Sequence, residues 1–379
     1  MKKIVSVVGA RPNFVKLAPI HRALNNVSSD NSITHTIIHT GQHYDYNLSK
    51  IFFKEFGIPD PDFDLDVGSG TAGFQIGEMI KRIESVFLGN SNIDLVLVYG
   101  DTNSTFAGAL AAKNSRIKVA HIESGLRSFD RRMPEEINRV LTDHISDYLF
   151  APTDTAVKNL EREHVFGRIF NTGDIAVEIV KEAALLSETR SSILNDLKLK
   201  PKSYILFTMH RSENTSAEDS LISVIRAFEI LSSTLGKSDV DEATTIVFPI
   251  HPRTANLLKH KNLYARLEAC KNVKLIDPVG YLDFINLIKR ARKVITDSGG
   301  AQKEAYLLAV PCVTIRKNTE WIETVNEGWN ILTDTDTIKI VKAAEEWTPL
   351  TDARLQNRSI FGEGRTSTII KDLVISILK

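Results

Sequence analysis

The chain has 379 residues and a formal net charge of zero, with 42% hydrophobic and 25% charged residues. This length exceeds that of one ordinary domain, so two domains are expected. The balanced charge argues against a protein that wraps nucleic acid, and no apolar run is long enough to cross a bilayer. Cys270 and Cys312 are too few and too isolated for a disulfide framework, which favours a reducing cytoplasm.

Short apolar runs alternate with longer amphipathic stretches along nearly the whole chain. Several runs are apolar throughout, which is typical of parallel strands covered on both faces. Repeated strand–helix order predicts parallel sheets with right-handed crossovers. In chain order, the predicted strands are 3–8, 34–39, 94–99, 118–122 and 148–151, then 204–208, 245–249, 273–276, 293–296 and 312–315. The predicted helices include 75–87, 218–231, 281–290, 301–308 and 366–378.

The strand–helix pattern predicts a domain boundary near Gly173. The charged stretch 188–202 then leads into a new strand. We therefore expect an α/β chain with two Rossmann-like, doubly wound domains, one over 1–170 and one over 175–360. A last helix, about 362–379, is expected to pack back on the first domain. Ligands of open parallel sheets bind at the carboxyl ends of strands, so functional residues should lie directly after strands.

The segment 296–304, TDSGGAQKE, follows an apolar run and opens a predicted helix. Gly299 and Gly300 let a phosphate approach the backbone, where N–H groups and the helix dipole stabilise its charge. The Ser298 hydroxyl adds a donor, and the Glu304 carboxylate suits the two hydroxyls of a ribose. The alternative is a turn that only starts a helix. The strand-to-helix context and the downstream carboxylate favour a nucleotide site.

The segment 9–16, GARPNFVK, follows the first predicted strand. Arg11 and Lys16 place two cations near the start of a helix, where cations oppose the dipole. An anionic ligand would explain them, and a solvated charge pair is the alternative. The segment is not a GxGxxG fingerprint, and no such fingerprint occurs elsewhere, so no nicotinamide cofactor is predicted.

Three carboxylates are candidates for acid–base chemistry. Asp101 and Glu123 each end a strand, and acids at the ends of successive strands can converge on one site. Like charges and partial burial would tune such acids for proton transfer. Glu135 follows in the segment 132–139, RMPEEINR. Its alternative role is that of an acid favoured at a helix start after Pro134.

In the second predicted domain, His210 and Arg211 follow the first strand. A lone histidine is more often structural than catalytic, but its place at a strand end beside an arginine makes this pair a candidate for the site. The histidines are too scattered for a zinc-binding helix of the HExxH type. No catalytic metal is therefore predicted.

Taken together, these motifs resemble the non-hydrolysing UDP-N-acetylglucosamine 2-epimerase family, in the same order and as far as about Thr333. The resemblance implies a glycosyltransferase-B-like fold with a deep interdomain cleft. It also implies interconversion of UDP-GlcNAc and UDP-ManNAc without a redox cofactor, a cytoplasmic homodimer, and a part in cell-surface polysaccharide biosynthesis.

The resemblance assigns roles to residues at matching positions. The catalytic acids would be Asp101, Glu123 and Glu135, with Lys16, Arg139 and His210 close by. In this mechanism UDP leaves carbon 1 as the proton on carbon 2 is removed, which gives a 2-acetamidoglucal, and UDP then returns. UDP itself would be held by Arg11, His210, Ser298, Gly299, Gly300 and Glu304, with Phe284 beside the uracil.

The sequence departs from the commonest family pattern at two places. Trp321 stands where many members carry an arginine, which resembles the branch that acts on UDP-2,3-diacetamido-2,3-dideoxy-glucuronate. Asp45 replaces a glutamine of the allosteric site of substrate-regulated members, and no arginine occurs near 68–74. Regulation of that kind is therefore not expected. Alternative functions are a UDP-sugar glycosyltransferase of similar architecture, a hydrolysing epimerase, and a non-catalytic sugar-nucleotide sensor.

Overall fold

The computed structural model describes residues 1–25, 33–42, 55–90, 92–211, 214, 218–235, 244–349 and 358–379. The chain divides into two compact units, the first formed by Met1–Lys181 with Ser359–Lys379 and the second by Glu182–Arg358. No helix within the described residues has both the length and the apolar character that a bilayer span requires. The Asp45 position discussed above lies outside the described residues.

The first unit is built on a seven-stranded parallel sheet in the order β3-β2-β1-β4-β5-β6-β7. Its strands are β1 (Lys2–Val8), β2 (Ile33–His39), β3 (Phe63–Asp64), β4 (Leu95–Tyr99), β5 (Lys118–Ile122), β6 (Tyr148–Ala151) and β7 (Arg168–Asn171). Its helices are α1 (Arg11–Asn25), α2 (Ala72–Gly89), α3 (Asn103–Asn114), α4 (Pro134–Ile145), α5 (Asp154–Arg162) and the first part of α6 (Ala176–Arg190). The last helix of the chain, α15 (Thr366–Leu378), packs against α1.

The second unit is built on a six-stranded sheet in the order β10-β9-β8-β11-β12-β13. Its strands are β8 (Tyr204–Thr208), β9 (Thr245–Pro249), β10 (Val273–Ile276), β11 (Lys293–Thr296), β12 (Cys312–Thr314) and β13 (Asn330–Leu332). Its helices are α7 (Ile193–Asp196), α8 (Glu218–Leu235), α9 (Pro252–His260), α10 (Tyr264–Glu268), α11 (Tyr281–Arg290), α12 (Gly299–Leu307), α13 (Ile322–Asn326) and α14 (Thr337–Glu345).

The first strand of each sheet along the chain, β1 or β8, is an inner strand with a neighbour on both sides. Ser6 of β1 lies opposite Ile37 of β2 and Leu97 of β4. In the second unit, β8 pairs with β9 and β11 in the same way. All of β4 is fully buried, as expected for a strand covered by helices on both faces. The strand order reverses direction beside β1 in the first sheet and beside β8 in the second, so each unit has one topological switch point.

The structure confirms the predicted fold class and the ten predicted strands, with end shifts of one residue at most. The five predicted helices are also present, and 281–290 and 366–378 are matched at both ends. Strands β3, β7 and β13 were not among the predicted ones. Strands β3 and β13 have only two and three residues, and β7, with the sequence RIFN, has only two apolar residues, which is too few to show a periodic pattern.

Candidate active site

Four of the candidate residues follow the strands that flank the two switch points. In the first unit Arg11 begins α1 after β1, and Asp101 follows β4. In the second unit His210 follows β8, and Ser298 follows β11. These are the positions where open parallel sheets bind ligands.

Asn13 ties the turn after β1 to the turn after β4. Its side-chain oxygen accepts hydrogen bonds from the backbone N–H groups of Gly9 (3.2 Å) and Ala10 (3.1 Å). Its amide nitrogen donates to the carbonyl of Tyr99 at 2.8 Å. Asn13 is 1% exposed, so this amide fixes the backbone in front of Arg11 against the end of β4.

Lys16 and Glu123 form an ion pair at the end of β5. Both residues are buried, each with 8% exposure. The Lys16 ammonium therefore balances the charge of the Glu123 carboxylate, which is poorly solvated. Glu123 has a φ of 71° and adjacent Gly100 a φ of 67°. A Cβ on Gly100 would lie 2.8 Å from Lys16 Nζ and 3.1 Å from Glu123 Oε2. The pair therefore needs glycine at this position.

Asp101 is paired with Arg139 of α4. Arg139 Nη2 donates to Asp101 Oδ2 at 2.6 Å, and Arg139 Nη1 donates to Glu136 Oε2 at 2.8 Å. Asn138 Nδ2 donates to the backbone carbonyl of Asp101 at 3.0 Å. The Asp101 side chain keeps 25% exposure. It is thus held by α4 and still open to a ligand.

Two neighbouring glutamates lie in the first turn of α4 and differ in their surroundings. Glu136 is 2% exposed, and its carboxylate accepts from Ser128 N (2.9 Å), Ser128 Oγ (3.0 Å) and Phe129 N (2.8 Å) as well as from Arg139. Glu135 is only half-buried. Glu136 therefore organises the loop before α4, whereas Glu135 has access to solvent.

The structure thus brings Lys16 to Glu123 and Arg139 to Asp101. Gly100 joins the two pairs because it precedes Asp101 and lies against Glu123. Glu135 lies in the same helix as Arg139, the partner of Asp101. Arg11 is half-buried at the first position of α1. The first unit therefore supplies carboxylates and cations at one edge of its sheet.

In the second unit, the buried Asp297 organises the turn that carries His210. Its carboxylate accepts from the backbone N–H of His210 (3.1 Å) and of Arg211 (2.9 Å) and from Asn214 Nδ2 (3.2 Å). Asp297 is fully buried, and His210 Nδ1 lies 3.4 Å from its Oδ1. The His210 side chain is 50% exposed. The imidazole is therefore anchored on one side and open on the other.

Ser298 is the N-cap of α12, and its hydroxyl oxygen accepts from the backbone N–H of Ala301. Its hydroxyl hydrogen remains able to donate, because a serine hydroxyl both donates and accepts. Gly300 is exposed, and a Cβ there would meet nothing nearer than Ser298 Oγ at 3.8 Å. The start of α12 is therefore open at Gly300, as a helix N-terminus that binds an anion must be.

Gly299 has a different neighbour. A Cβ on Gly299 would lie 2.0 Å from Glu320 Oε1 and 3.4 Å from Trp321 Nε1. Glu320 is buried and accepts from Arg316 Nη1 at 2.8 Å, and Arg211 Nη2 lies 3.9 Å from it. The absence of a side chain at Gly299 thus makes room for Glu320, which holds two arginines near the start of α12.

Trp321, the residue that departs from the common family pattern, is buried. It is 3% exposed, and Lys303 Nζ lies 3.9 Å from the centre of its ring. Lys303 is itself buried. This cation–π contact places Trp321 in the packing behind α12, where it supports the position of that helix.

The remaining candidates also belong to the second unit. Glu304 is half-buried in α12, one turn after Gly300. Phe284 lies in α11, is half-buried and packs against the core cluster around β8. Among the described residues, no group of three or more His, Cys, Asp or Glu side chains is arranged to hold a metal ion.

Sequence reasoning did not identify Asn13, Glu136, Asp297 or Glu320 as members of the site. The sequence did contain an indication for Asp297. Like Asp101, it directly follows an apolar strand, and an acid at that position predicts a functional role. Glu136 and Glu320 bind partners that lie in or beside loops of the folded chain, and no local sequence pattern predicts these contacts.

Comparison with known proteins gives a consistent result. A family model described as UDP-N-acetylglucosamine 2-epimerase matches residues 25–375. A Methanococcus maripaludis UDP-N-acetylglucosamine 2-epimerase homolog is 48% identical over 98% of this chain and 99% of its own. A Pseudomonas aeruginosa UDP-2,3-diacetamido-2,3-dideoxy-D-glucuronate 2-epimerase is 41% identical over 99% of this chain and 100% of its own. The crystal structure of Methanocaldococcus jannaschii UDP-GlcNAc 2-epimerase with UDP-GlcNAc and UDP has a TM-score of 0.88 at 42% identity, and the match covers 99% of both chains.

Proposed function

The chain belongs to the UDP-N-acetylglucosamine 2-epimerase family, and from that premise we propose that it interconverts UDP-GlcNAc and UDP-ManNAc by elimination and re-addition of UDP. One observation carries the proposal beyond the family match. The two units carry different groups after the strands that flank their switch points, and we assign each a different half of the required chemistry. The first unit presents carboxylates for proton transfer, and the second presents an open helix N-terminus for a diphosphate.

The reaction poses a specific chemical problem. The hydrogen on carbon 2 is not adjacent to a carbonyl group, so its direct removal is difficult. Departure of UDP makes the ring oxocarbenium-like, which acidifies that hydrogen. Stabilising the negative charge on the departing diphosphate is therefore a large part of catalysis. The atoms balance without a redox step, since one proton and UDP leave and then return.

We assign the diphosphate to the second unit. The open backbone at Gly300 and the Ser298 hydroxyl offer donors at a helix start, where the dipole favours an anion. His210 is half-exposed and anchored by Asp297. Glu304 is one turn away and suits the ribose hydroxyls, and Phe284 is assigned to the uracil. Further positive charge is assigned to Arg211 and, from the first unit, to Arg11.

We assign the proton on carbon 2 to the first unit. Inversion requires a proton to be removed from one face and delivered to the other, so one acid is not enough. Asp101, Glu123 and Glu135 are the proposed acids. Lys16 and Arg139 balance the charges of Glu123 and Asp101.

A second candidate substrate is UDP-2,3-diacetamido-2,3-dideoxy-glucuronate. The Pseudomonas aeruginosa relative named for this substrate is 41% identical over nearly the whole of both chains, and Trp321 agrees with that branch. The two candidates share the elimination chemistry and differ in the substituents at carbons 3 and 5. One experiment therefore tests both.

The experiment is incubation of the protein with each UDP-sugar, side by side, in deuterated water. We expect deuterium at carbon 2 and formation of the 2-epimer, both detected by NMR. The sugar with the higher kcat/KM is the substrate. Absence of carbon 2 exchange with both sugars would refute the epimerase proposal. Release of UDP that depends on an added acceptor would instead identify a glycosyltransferase.

We also propose that the protein is a cytoplasmic homodimer, as the family resemblance implies. Ile137 and Leu141 support self-association, because they lie one turn apart on α4 and are 47% and 41% exposed. Cys270 and Cys312 are both unpaired and buried, which suits a reducing compartment. Light scattering should give twice the 42.3 kDa of one chain, and cell fractionation checks the compartment.

A further inference from the structure

A buried histidine–aspartate pair lies behind the carboxylates of the first unit. His121 belongs to β5 and Asp143 to α4, and both side chains have zero exposure. His121 Nδ1 lies 2.7 Å from Asp143 Oδ1, and His121 Nε2 lies 2.7 Å from the carbonyl oxygen of Gly100. Neither side chain takes part in the reaction described above.

The hydrogen-bond partners indicate that this pair is ionic. A carbonyl oxygen and an ionised carboxylate can only accept, so both ring nitrogens of His121 must carry hydrogen. Asp143 Oδ2 accepts from the backbone N–H of Gly125 at 3.0 Å and lies 2.8 Å from Arg127 Nη1. Burial raises the pKa of Asp143, but the charges and hydrogen bonds of His121 and Arg127 outweigh it and lower the pKa below its ordinary value.

The pair holds the two turns on which the proposed acids are mounted. His121 Nε2 donates a hydrogen bond to the carbonyl oxygen of Gly100, the residue before Asp101. Asp143 Oδ2 accepts a hydrogen bond from the backbone N–H of Gly125, two residues after Glu123. Gly100, Glu123 and Gly125 all have positive φ, at 67°, 71° and 81°. Glycine adopts positive φ without cost, but the conformation of Glu123 is strained and persists only where the surroundings over-determine it. The pair contacts the turns on both sides of Glu123 and Asp101 at once.

We propose that His121 and Asp143 are positioning residues that hold the turns of Asp101 and Glu123 in the geometry that proton transfer requires. This inference rests on the proposed function. A displacement of about 1 Å in a reacting group can cost on the order of 10²-fold in rate. The pair belongs to the first unit, whereas the start of α12 and His210, the groups assigned to UDP, belong to the second.

The test uses His121→Gln, Asp143→Asn and the double variant in the full chain. We expect each single variant to lower kcat for carbon 2 exchange by about 10²-fold, with KM and the Kd for UDP within about twofold of wild type. Because two residues that act as a unit are not additive, the double variant should be no slower than the slower single variant. Because a general loss of folded protein would also lower the apparent kcat at unchanged KM, kcat is expressed per UDP-binding site, which calorimetric titration with UDP counts.

Asp147→Asn is the matched control. Asp147 accepts from the N–H of Val119 at 2.8 Å and from Lys113 Nζ at 2.9 Å. It thus anchors the opposite end of β5, away from the carboxylates. The control should lower the melting temperature and leave kcat unchanged. Equal losses of kcat in Asp147→Asn and His121→Gln, or a loss of UDP affinity that parallels the loss of kcat, would overturn the proposal.

A second measurement needs no variant to be active. The ring ¹⁵N shifts of histidine-labelled wild-type protein at neutral pH should show one ring, absent in His121→Gln, with hydrogen on both nitrogens. A ring with hydrogen on one nitrogen overturns the ionic pair. If wild type gives no carbon 2 exchange, the proposed function fails, and the ¹⁵N spectrum still decides whether the pair exists as described.

Discussion

Two adjacent glutamates in α4 are assigned different roles, a proposed catalytic role for Glu135 and a structural role for Glu136. Glu136 is 2% exposed and accepts hydrogen bonds from the 128–129 loop and from Arg139. Glu135 is half-buried. We expect Glu136→Gln to lower the free energy of unfolding by about 3 kcal/mol, since breaking a buried ion pair leaves Arg139 partly uncompensated. Urea denaturation measures the change.

Glu135→Gln is the matched variant, one residue away and identical in chemistry. It should change the free energy of unfolding by less than about 0.5 kcal/mol and should lower kcat for carbon 2 exchange by at least about 10²-fold, as expected for loss of a general acid or base. The reverse pattern, with Glu135→Gln unstable and Glu136→Gln stable but inactive, would exchange the two assignments.

At the residue scale, the sequence predicts which side chains are presented and misses what holds them. Asp101 and His210 were found because polar residues directly after apolar strands fall where parallel sheets bind ligands. Their partners lie elsewhere in the chain. Arg139, which the family resemblance placed near the acids without assigning it a partner, binds Asp101 across 38 positions, and Asp297 binds the turn of His210 across 87. Spacing along a sequence does not encode such contacts, because they depend on how helices pack over the sheet.

At the element scale, apolar runs of four or more residues located their strands well, and β3, β7 and β13, which lack such a run, were missed. The two residues of β3, Phe63 and Asp64, pair with the end of β2, so this strand is defined by its neighbour. Helix starts were less well placed than strands. Predicted starts at 75 and 301 are observed at Ala72 and Gly299, because the caps Thr71 and Ser298 add a turn before the apolar periodicity begins.

The packing of β2 against α1 makes the first unit sensitive to acid. His35 of β2 lies 2.7 Å from Ser6 Oγ, and its Nδ1 lies 2.9 Å from Nδ1 of His21 in α1. Burial, and then the neighbouring His21, lower the pKa of His35 to about 3. Burial also lowers the pKa of His21. Both rings are therefore neutral in the folded protein at neutral pH, and protonation would place two cations against each other.

The sign of the pH effect follows from these pKa directions. Between about pH 6.5 and pH 3, His35 binds more protons in the unfolded chain than in the folded chain, so its contribution to the free energy of unfolding falls as pH falls. We expect His35 to contribute a loss of about 1–2 kcal/mol between pH 7 and pH 5. Thermal melts across this range should show a smaller decrease in His35→Gln. The exposed His260 provides the control, and an equal reduction in His260→Gln would contradict the assignment to His35.

At the scale of the whole molecule, the two sheets share one winding order and differ in what they present. In both, a central strand pairs with the next strand of the chain on one side and with a later strand on the other. Unit 1 presents carboxylates at its switch point. Unit 2 presents a capped helix start. Under the proposed assignments, one architecture supports two chemistries, because the residues after the strands differ between the units while the strand order does not.

This division predicts that UDP binding and proton transfer can be removed independently. Asp101→Asn should abolish carbon 2 exchange and leave the Kd for UDP within about twofold, because Asn can still accept from Arg139 and the second unit is untouched. Gly300→Ala should raise the Kd for UDP by about tenfold or more, since its methyl group occupies the open space at the helix start that would receive a phosphate. The chain itself accommodates that methyl group, because the nearest atom is 3.8 Å away, so the melting temperature without ligand should stay near wild type. Calorimetric titration with UDP measures both variants, and a loss of UDP affinity in Asp101→Asn would show that the two chemistries are not divided between the units.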